Sequence, residues 1–348
     1  MEEPVITLIH HSTAFDSMER YALDLYKATS KFTRLFSLVY GPNDSAPREA
    51  TILEGIFSKS KKFHYINYID PGTTVKGYKN VIKDTHDSGG IVHYTAGYIF
   101  PYNLIHRDVV TIHDVYSFIY PSKVPFIERI YSDRSLKSYK TAELNNVITD
   151  SEFSKSVLEE NGFDSNIKVV HLPISENFIR IVDKQQARKM LGLPLDKKII
   201  LSISNLQWRK NLRGILKTMD LLGSDYVLAR VGPDVGGSIC FEKIDDNKLN
   251  LLYNAVDALF YPSFYEGFGY VPLEAAKVGI PVVLSDISVF HEVLGEYPVY
   301  VDPNDIISMS RGVKEAVDME DDRRIIDLSK FSFSKFEENM IGFYSGII

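Results

Sequence analysis

The chain has 348 residues, more than one compact core holds and a good length for two domains of ordinary size. Hydrophobic residues make up 45% and charged residues 24%, a globular composition, and the net charge of −7 argues against a nucleic-acid binder driven by bulk charge. Cys240 is the lone cysteine, so neither an internal disulfide nor a thiolate metal cage is open to the chain.

In chain order, Val5–His10 reads as a buried strand. Met18–Thr29 reads as a helix, with Met18, Ala22 and Leu25 at helical spacing. Leu35–Val39, His64–Ile69, Ile91–Tyr94, Val109–His113 and Asn146–Thr149 are further short strands. Ser151 is placed to cap a helix running to Asn161, and Gly162 suits the position just past its end. The alternation then repeats: strands at Lys198–Ser202, Tyr226–Val231, Ala258–Tyr261 and Pro281–Ser285, helices at Asn211–Leu222, Asp246–Val256 and Val271–Val278. Alternating strands and helices imply parallel sheets covered on both faces, and two such runs imply two Rossmann-like domains. The break falls near Pro173–Val182, ahead of a polar helix at Lys184–Leu191. The tail, Phe331–Ile348, sets Phe333, Phe336, Met340 and Phe343 at helical spacing and reads as a packing helix.

The acidic start Met-Glu-Glu-Pro is unlike a secretion signal. The longest apolar runs, such as Val256–Pro262, fall well short of the roughly 18–20 residues of a membrane helix. The expectation is a cytoplasmic protein. Tyr120–Tyr139 mixes Lys123, Arg129, Arg134 and Lys137 with aromatic residues, as does the adjoining Lys140; it fits a mixed-charge surface helix or a peripheral contact with an anionic membrane.

Three segments carry chemistry. Ser263-Phe-Tyr-Glu-Gly-Phe-Gly-Tyr-Val-Pro-Leu-Glu274 follows a strand and enters a helix, where doubly wound folds bind ligands. Gly267 and Gly269 permit close backbone approach, and the helix start near Val271 offers free N–H groups to an anion such as a diphosphate. Glu266 and Glu274 are too far apart for one helical face, so each reaches a different part of an extended ligand; carboxylates accepting from vicinal hydroxyls suit sugars. Alone, the segment also fits a turn with a solvated Glu266 and a capping Glu274. Gln207-Trp-Arg-Lys-Asn211 places Arg209 and Lys210 at a strand end, where two cations stabilise a leaving diphosphate or simply face water. His113-Asp114 ends a strand in the first half, where His113 could meet a sugar hydroxyl or serve structure.

Taken in order, these segments resemble the family 4 retaining glycosyltransferases, in their Arg-Lys-Asn, mannosyltransferase-like branch. Glu266-x7-Glu274, Arg209–Asn211 and Thr111-Ile-His-Asp114 carry the likeness. Val147-Ile-Thr-Asp-Ser-Glu-Phe-Ser-Lys155, Val169-Val-His-Leu-Pro173 and Gly279-Ile-Pro-Val-Val-Leu-Ser285 support it. The resemblance implies an α/β GT-B fold: Rossmann-like domains over 1–178 (acceptor side) and 179–330 (nucleotide-sugar side) facing across a deep cleft, with the helix of 331–348 crossing back to the first. It implies transfer of a hexose from a nucleoside-diphosphate sugar, GDP-mannose first and UDP-sugars next, to a glycan, lipid-linked or small-molecule acceptor. Anomeric configuration is retained, and no metal or other cofactor takes part. Consistently, Asp-x-Asp, the diphosphate–metal motif of other transferases, does not occur in the sequence.

By position, the resemblance makes Arg209 and Lys210 the grip on the diphosphate, Glu266 the carboxylate on the transferred sugar and Glu274 the ribose ligand. The backbone of Gly267, Phe268, Gly269, Tyr270 and Val271 contacts phosphate, Ile244 lies where the base is read, and His113 approaches the sugar. Two departures stand out. Thr13–Arg20 lacks the glycines usual after the first strand, and Asp16 there would repel a phosphate. Ser204-Asn205 stands where many members have Gly-Arg. The first departure leaves a non-catalytic, sugar-binding GT-B subunit as the alternative.

Overall fold

The computed structural model describes residues 6–12, 17–30, 33–39, 63–67, 71–142, 144–163, 166–242, 244–319 and 326–348. The expectations for Val5, Ile69 and the loop residues Thr13–Asp16 lie outside them. The chain divides into two compact units, one formed by residues up to Pro173 together with Lys330–Ile348, the other by Ile174–Ser329.

The first unit is a parallel sheet with strands β1 (Ile6–Ser12), β2 (Thr33–Val39), β3 (Phe63–Asn67), β4 (Ile91–Tyr94), β5 (Val109–Thr111), β6 (Asn146–Thr149) and β7 (Asn166–Val169). Their order is β3-β2-β1-β4-β5-β6-β7. The order reverses between β1 and β4, which pair in parallel from Ile6 opposite Ile91 to Ile9 opposite Tyr94. Strands β4, β5 and β6 are buried at every residue, which is why they read as continuous apolar runs without alternation. Helices α1 (Ser17–Thr29), α2 (Pro71–Asp87), α3 (Tyr116–Ile119), α4 (Phe126–Thr141) and α5 (Glu152–Glu160) belong to this unit. Ser151 caps α5 by accepting from Ser154 N, and Gly162 follows with φ 76°, a left-handed conformation that costs glycine little.

The second unit repeats the plan with β8 (Lys198–Ile203), β9 (Tyr226–Val231), β10 (Ile239–Phe241), β11 (Ala258–Tyr261), β12 (Val282–Ser285) and β13 (Val299–Val301), ordered β10-β9-β8-β11-β12-β13. Here the order reverses between β8 and β11. Its helices are α6 (Lys184–Leu191), α7 (Leu212–Leu222), α8 (Asp246–Ala255), α9 (Tyr270–Val278), α10 (Ser288–Leu294) and α11 (Ile306–Asp318). One face of the sheet packs Ile200, Phe260 and Val283 against Ile215 of α7 and Met309 and Val313 of α11. From Ser285 to the tail, α10, β13 and α11 enter with the structure and not from the sequence reading.

The tail forms α12 (Phe333–Ser345), which packs in the first unit against α1. Its buried stripe is Phe336, Met340 and Tyr344; Phe343, placed on that stripe by spacing alone, is only half-buried. The shift has a polar cause, because the Tyr344 hydroxyl is drawn inward to His93 of β4. No helix among the described residues is long and apolar enough to cross a membrane.

Candidate active site

The second unit sets Arg209, Lys210 and Glu266 at the reversal of strand order. The loop after β8 and the loop after β11 leave neighbouring strands in opposite senses, opening the crevice where doubly wound sheets bind ligands. Trp208–Lys210 form a 3₁₀ turn in the first loop, and Glu266 lies in the second. The backbone N–H of Phe264 donates to the carbonyl of Arg209 at 2.8 Å and ties the two loops together.

Lys210 Nζ sits between two acceptors, Glu266 Oε1 at 2.6 Å and the Tyr261 hydroxyl at 2.7 Å. Arg209 Nη1 approaches the other carboxylate oxygen at 3.5 Å, and Arg209 Nε donates to Gln207 Oε1 at 3.0 Å. Glu266 is buried. Burial alone works against its charge, but Lys210 and then Arg209, with a hydrogen bond from Ser263, outweigh it and hold the carboxyl below the usual range. Burial likewise opposes the Lys210 ammonium, and Glu266 followed by Tyr261 overcome it, so that ammonium is held more firmly protonated than a free lysine. The Tyr261 hydroxyl is pushed up to about 12 by burial and by Glu266, so it stays protonated. The cluster is two cations around one anion, with one surplus positive charge.

Glu274 is buried on α9 and accepts from the Tyr253 hydroxyl at 3.1 Å. Between the two glutamates, Gly269 begins α9 at φ 113°, where a Cβ would lie 3.0 Å from Phe290. The cap position of this helix, a glycine, makes no side-chain hydrogen bond, and the first turn at Tyr270 and Val271 carries the positive end of the helix dipole. Asn211 caps α7 by accepting from Gly214 N at 3.2 Å, but from a left-handed backbone (φ 52°) and not the extended one usual for a cap. Its amide also donates to Pro303 O at 2.8 Å, which anchors the turn that carries Arg209 and Lys210.

Ser204 is fixed from the neighbouring strand. The fully buried Arg230 of β9 donates to its carbonyl at 2.8 Å and to its hydroxyl at 3.2 Å. Gly232 is required beside it, since a Cβ there would come within 2.2 Å of the Ser204 carbonyl. Ile244 stands farther along the chain, in the turn between the edge strand β10 and α8.

In the first unit, His113 lies just past β5 and is buried. Its Nδ1 meets Asp150 Oδ2 at 2.7 Å, and its Nε2 donates to the Thr95 carbonyl at 2.9 Å. Burial disfavours the imidazolium, but Asp150 outweighs it and raises the proton affinity of the ring. Both nitrogens are therefore spent within the unit. A sugar hydroxyl that bonded Nε2 would take the place of the Thr95 carbonyl. The Asp114 carboxylate accepts from Tyr116 N at 2.6 Å. The ring of Tyr21 packs edge-on against His113 at 4.4 Å. From Tyr21 a buried chain runs through Thr111 (2.7 Å) to His93 (2.7 Å) and the Tyr344 hydroxyl on α12.

The structure thus brings Arg209, Lys210 and Glu266 into contact, sets Glu274 and the Gly267–Val271 backbone on the same loop and helix, and places His113 in the other unit. The sequence reading missed Tyr261, Ser263, Tyr253, Asp150 and Arg230. Asp150 and Ser263 lay inside segments already singled out, Val147–Lys155 and Ser263–Glu274.

Residues 183–328 match the family model described as glycosyl transferases group 1. The chain is similar to the O-antigen chain mannosyltransferase RfbU of Salmonella typhimurium (strain LT2), 31% identical over 229 residues, 63% of each chain. It is also similar to O-antigen chain mannosyltransferase B of Escherichia coli, 28% identical over 256 residues, 65% of each. The match therefore spans a little under two thirds of the length of these relatives. Among solved structures, Anabaena Alr3699/HepE in complex with UDP-glucose superposes with a TM-score of 0.76 over 98% of this chain and 99% of that one; at 15% identity the likeness speaks for the fold alone. The two parallel sheets have the GT-B architecture, and residues 183–328, which form most of the second unit, resemble the glycosyl transferases group 1 family.

Proposed function

We propose that the protein transfers a hexose from a nucleoside-diphosphate sugar to a glycan, lipid-linked or small-molecule acceptor, with retention of anomeric configuration and without a metal ion. The observation that carries this is the Lys210 ammonium held between Glu266 and Tyr261, with Arg209 on the far oxygen of the same carboxylate. As the glycosidic bond to the diphosphate breaks, negative charge grows on the leaving group. Two preorganised cations lower that barrier, each worth on the order of 3 kcal/mol. Glu266, anionic at neutral pH, accepts from hydroxyls of the moving hexose, and Glu274 from the ribose. The start of α9 receives a phosphate oxygen. An intact cation–carboxylate cluster also weighs against a merely sugar-binding subunit.

The mannosyltransferase names of the relatives put GDP-mannose first among donors and polysaccharide synthesis first among settings; UDP-sugars follow. We place the protein in the cytoplasm. Helix α4 supports a peripheral membrane contact, because it buries Leu136 and Tyr139 while Arg134, Lys137 and Phe126 face out. Salt-sensitive co-sedimentation with anionic liposomes checks that point.

A thermal-shift screen across nucleotide sugars tests the main reading, since a true donor raises the melting temperature by mass action. Release of the nucleoside diphosphate should then nearly vanish in Lys210→Ala and Glu266→Ala. Undiminished turnover in both overturns these roles.

A further inference from the structure

We propose that Trp208 is a saccharide platform, on which an acceptor sugar ring lies beside the hexose held at Glu266. This rests on the donor-site reading above and adds the acceptor to it.

Trp208 is the only tryptophan in the chain, and it stands 43% exposed in the loop after β8, near the still more exposed Leu206. An indole left in water forfeits burial worth about 25 cal/mol per Å². The surrounding turn holds it there firmly. Its ring stacks on Phe264 with centroids 4.9 Å apart and planes 20° apart. The Phe264 N–H is bonded to the Arg209 carbonyl at 2.8 Å, and Asn211 N donates to the Trp208 carbonyl at 3.1 Å. Both aromatic residues are thus fixed by the same backbone bonds that fix Arg209 and Lys210. A preorganised ring loses little freedom on binding.

The neighbours select the ligand class. Arg209, the next residue, reaches Glu266 Oε2 at 3.5 Å, and Lys210 reaches the other oxygen. An exposed aromatic ring in the same turn as the two cations that hold Glu266 suits a pyranose, whose C–H face lies on the indole while its hydroxyls turn to the charged groups. A nucleobase also stacks on indole, but the nucleoside end of the donor is read at Glu274, held by Tyr253 on the α9 side. Trp208 instead directly precedes Arg209, whose guanidinium approaches Glu266.

Because Trp208 is the sole tryptophan, its intrinsic emission reports on this ring in the unlabelled full chain. Titration with methyl α-mannopyranoside, methyl α-glucopyranoside and N-acetylglucosamine should give a saturable emission change with at least one of them. The change should persist in the presence of whichever nucleotide sugar raises the melting temperature, and Phe264→Leu should raise its midpoint about tenfold. No saturable response to any of the sugars overturns the platform, even if nucleotide sugars bind and the donor reading stands. A response to free guanosine or uridine but not to glycosides assigns the ring to the base and overturns it too. A glycoside response abolished by nucleotide sugar makes it part of the donor's own site and overturns the acceptor assignment. Emission that changes with protein concentration alone, alongside a doubled mass in light scattering, hands the ring to a second copy and overturns it as well. A glycoside response without binding of any nucleotide sugar supports the platform and sinks the donor reading, so the two ideas fail separately.

Discussion

Replacing Lys210 by methionine separates what the buried cluster does for stability from what it does for chemistry. Methionine keeps most of the side-chain volume but removes the ammonium that bonds Glu266 Oε1 and the Tyr261 hydroxyl. Removing one partner of a buried ion pair typically costs about 3–5 kcal/mol. Arg209 still attends the other oxygen at 3.5 Å, so a cost of about 2–3 kcal/mol is expected here. For a domain of this size each kcal/mol moves the melting temperature by about 2–4 °C. Adding Glu266→Gln removes the stranded charge, and the double variant should recover most of the lost stability. Activity should behave otherwise. Loss of a preorganised cation lowers kcat by about 10²–10³-fold, and removing the carboxylate as well cannot restore it. The assay pairs thermal denaturation with nucleoside diphosphate release for wild type, both single variants and the double. Recovery of turnover together with stability in the double variant would refute the reasoning and make the cluster a structural strut.

Asn211→Ala should destabilise the protein by about 2 kcal/mol in urea unfolding, combining the lost cap with a left-handed backbone that alanine resists; Asn211→Gly should recover part of it. Glu274→Ala should weaken nucleoside diphosphate binding in calorimetry by tenfold or more, about 1.4 kcal/mol, whereas Tyr253→Phe, which leaves the carboxylate in place, should cost less. His93 is held down to about 3 by burial and by His113, while an unfolded histidine titrates near 6.5. The unfolded chain therefore binds the extra proton first, and stability falls as pH drops from about 6.5 towards 3. His93→Gln should flatten that limb of a stability–pH curve, and an unchanged slope would contradict a buried neutral imidazole.

Much of the fold was legible because parallel strands buried on both faces appear as short apolar runs bounded by turn residues. Ile91–Tyr94, Asn146–Thr149 and Ala258–Tyr261 begin and end where composition alone places them. The strand expected to reach His113 stops at Thr111, because His113 turns inward to Asp150 and leaves the ladder. Helix α2 was hidden by its opening Pro-Gly-Thr-Thr, poor helix formers that tertiary packing overrides. Three-residue strands such as β10 and β13 are too short for any periodic signal.

The site was legible to a different depth, and sequence separation explains the difference. Arg209, Lys210, Glu266 and Glu274 stand in two compact segments whose spacing is itself the signal. Their supports come from elsewhere. Tyr253, which holds Glu274, stands on another helix, and Arg230, which pins Ser204, sits in a strand that shows only as a hydrophobic run with one misplaced charge. That charge was the available clue, since an arginine inside a buried strand must spend its donors on something, here the carbonyls of Ser204 and Pro233. The same reasoning identifies His93: a histidine in a strand buried at every residue needs two polar partners, and it finds them in Thr111 and, at the far end of the chain, in Tyr344. Buried polar residues in apolar runs therefore show that a support exists, and only the fold shows which residue it holds.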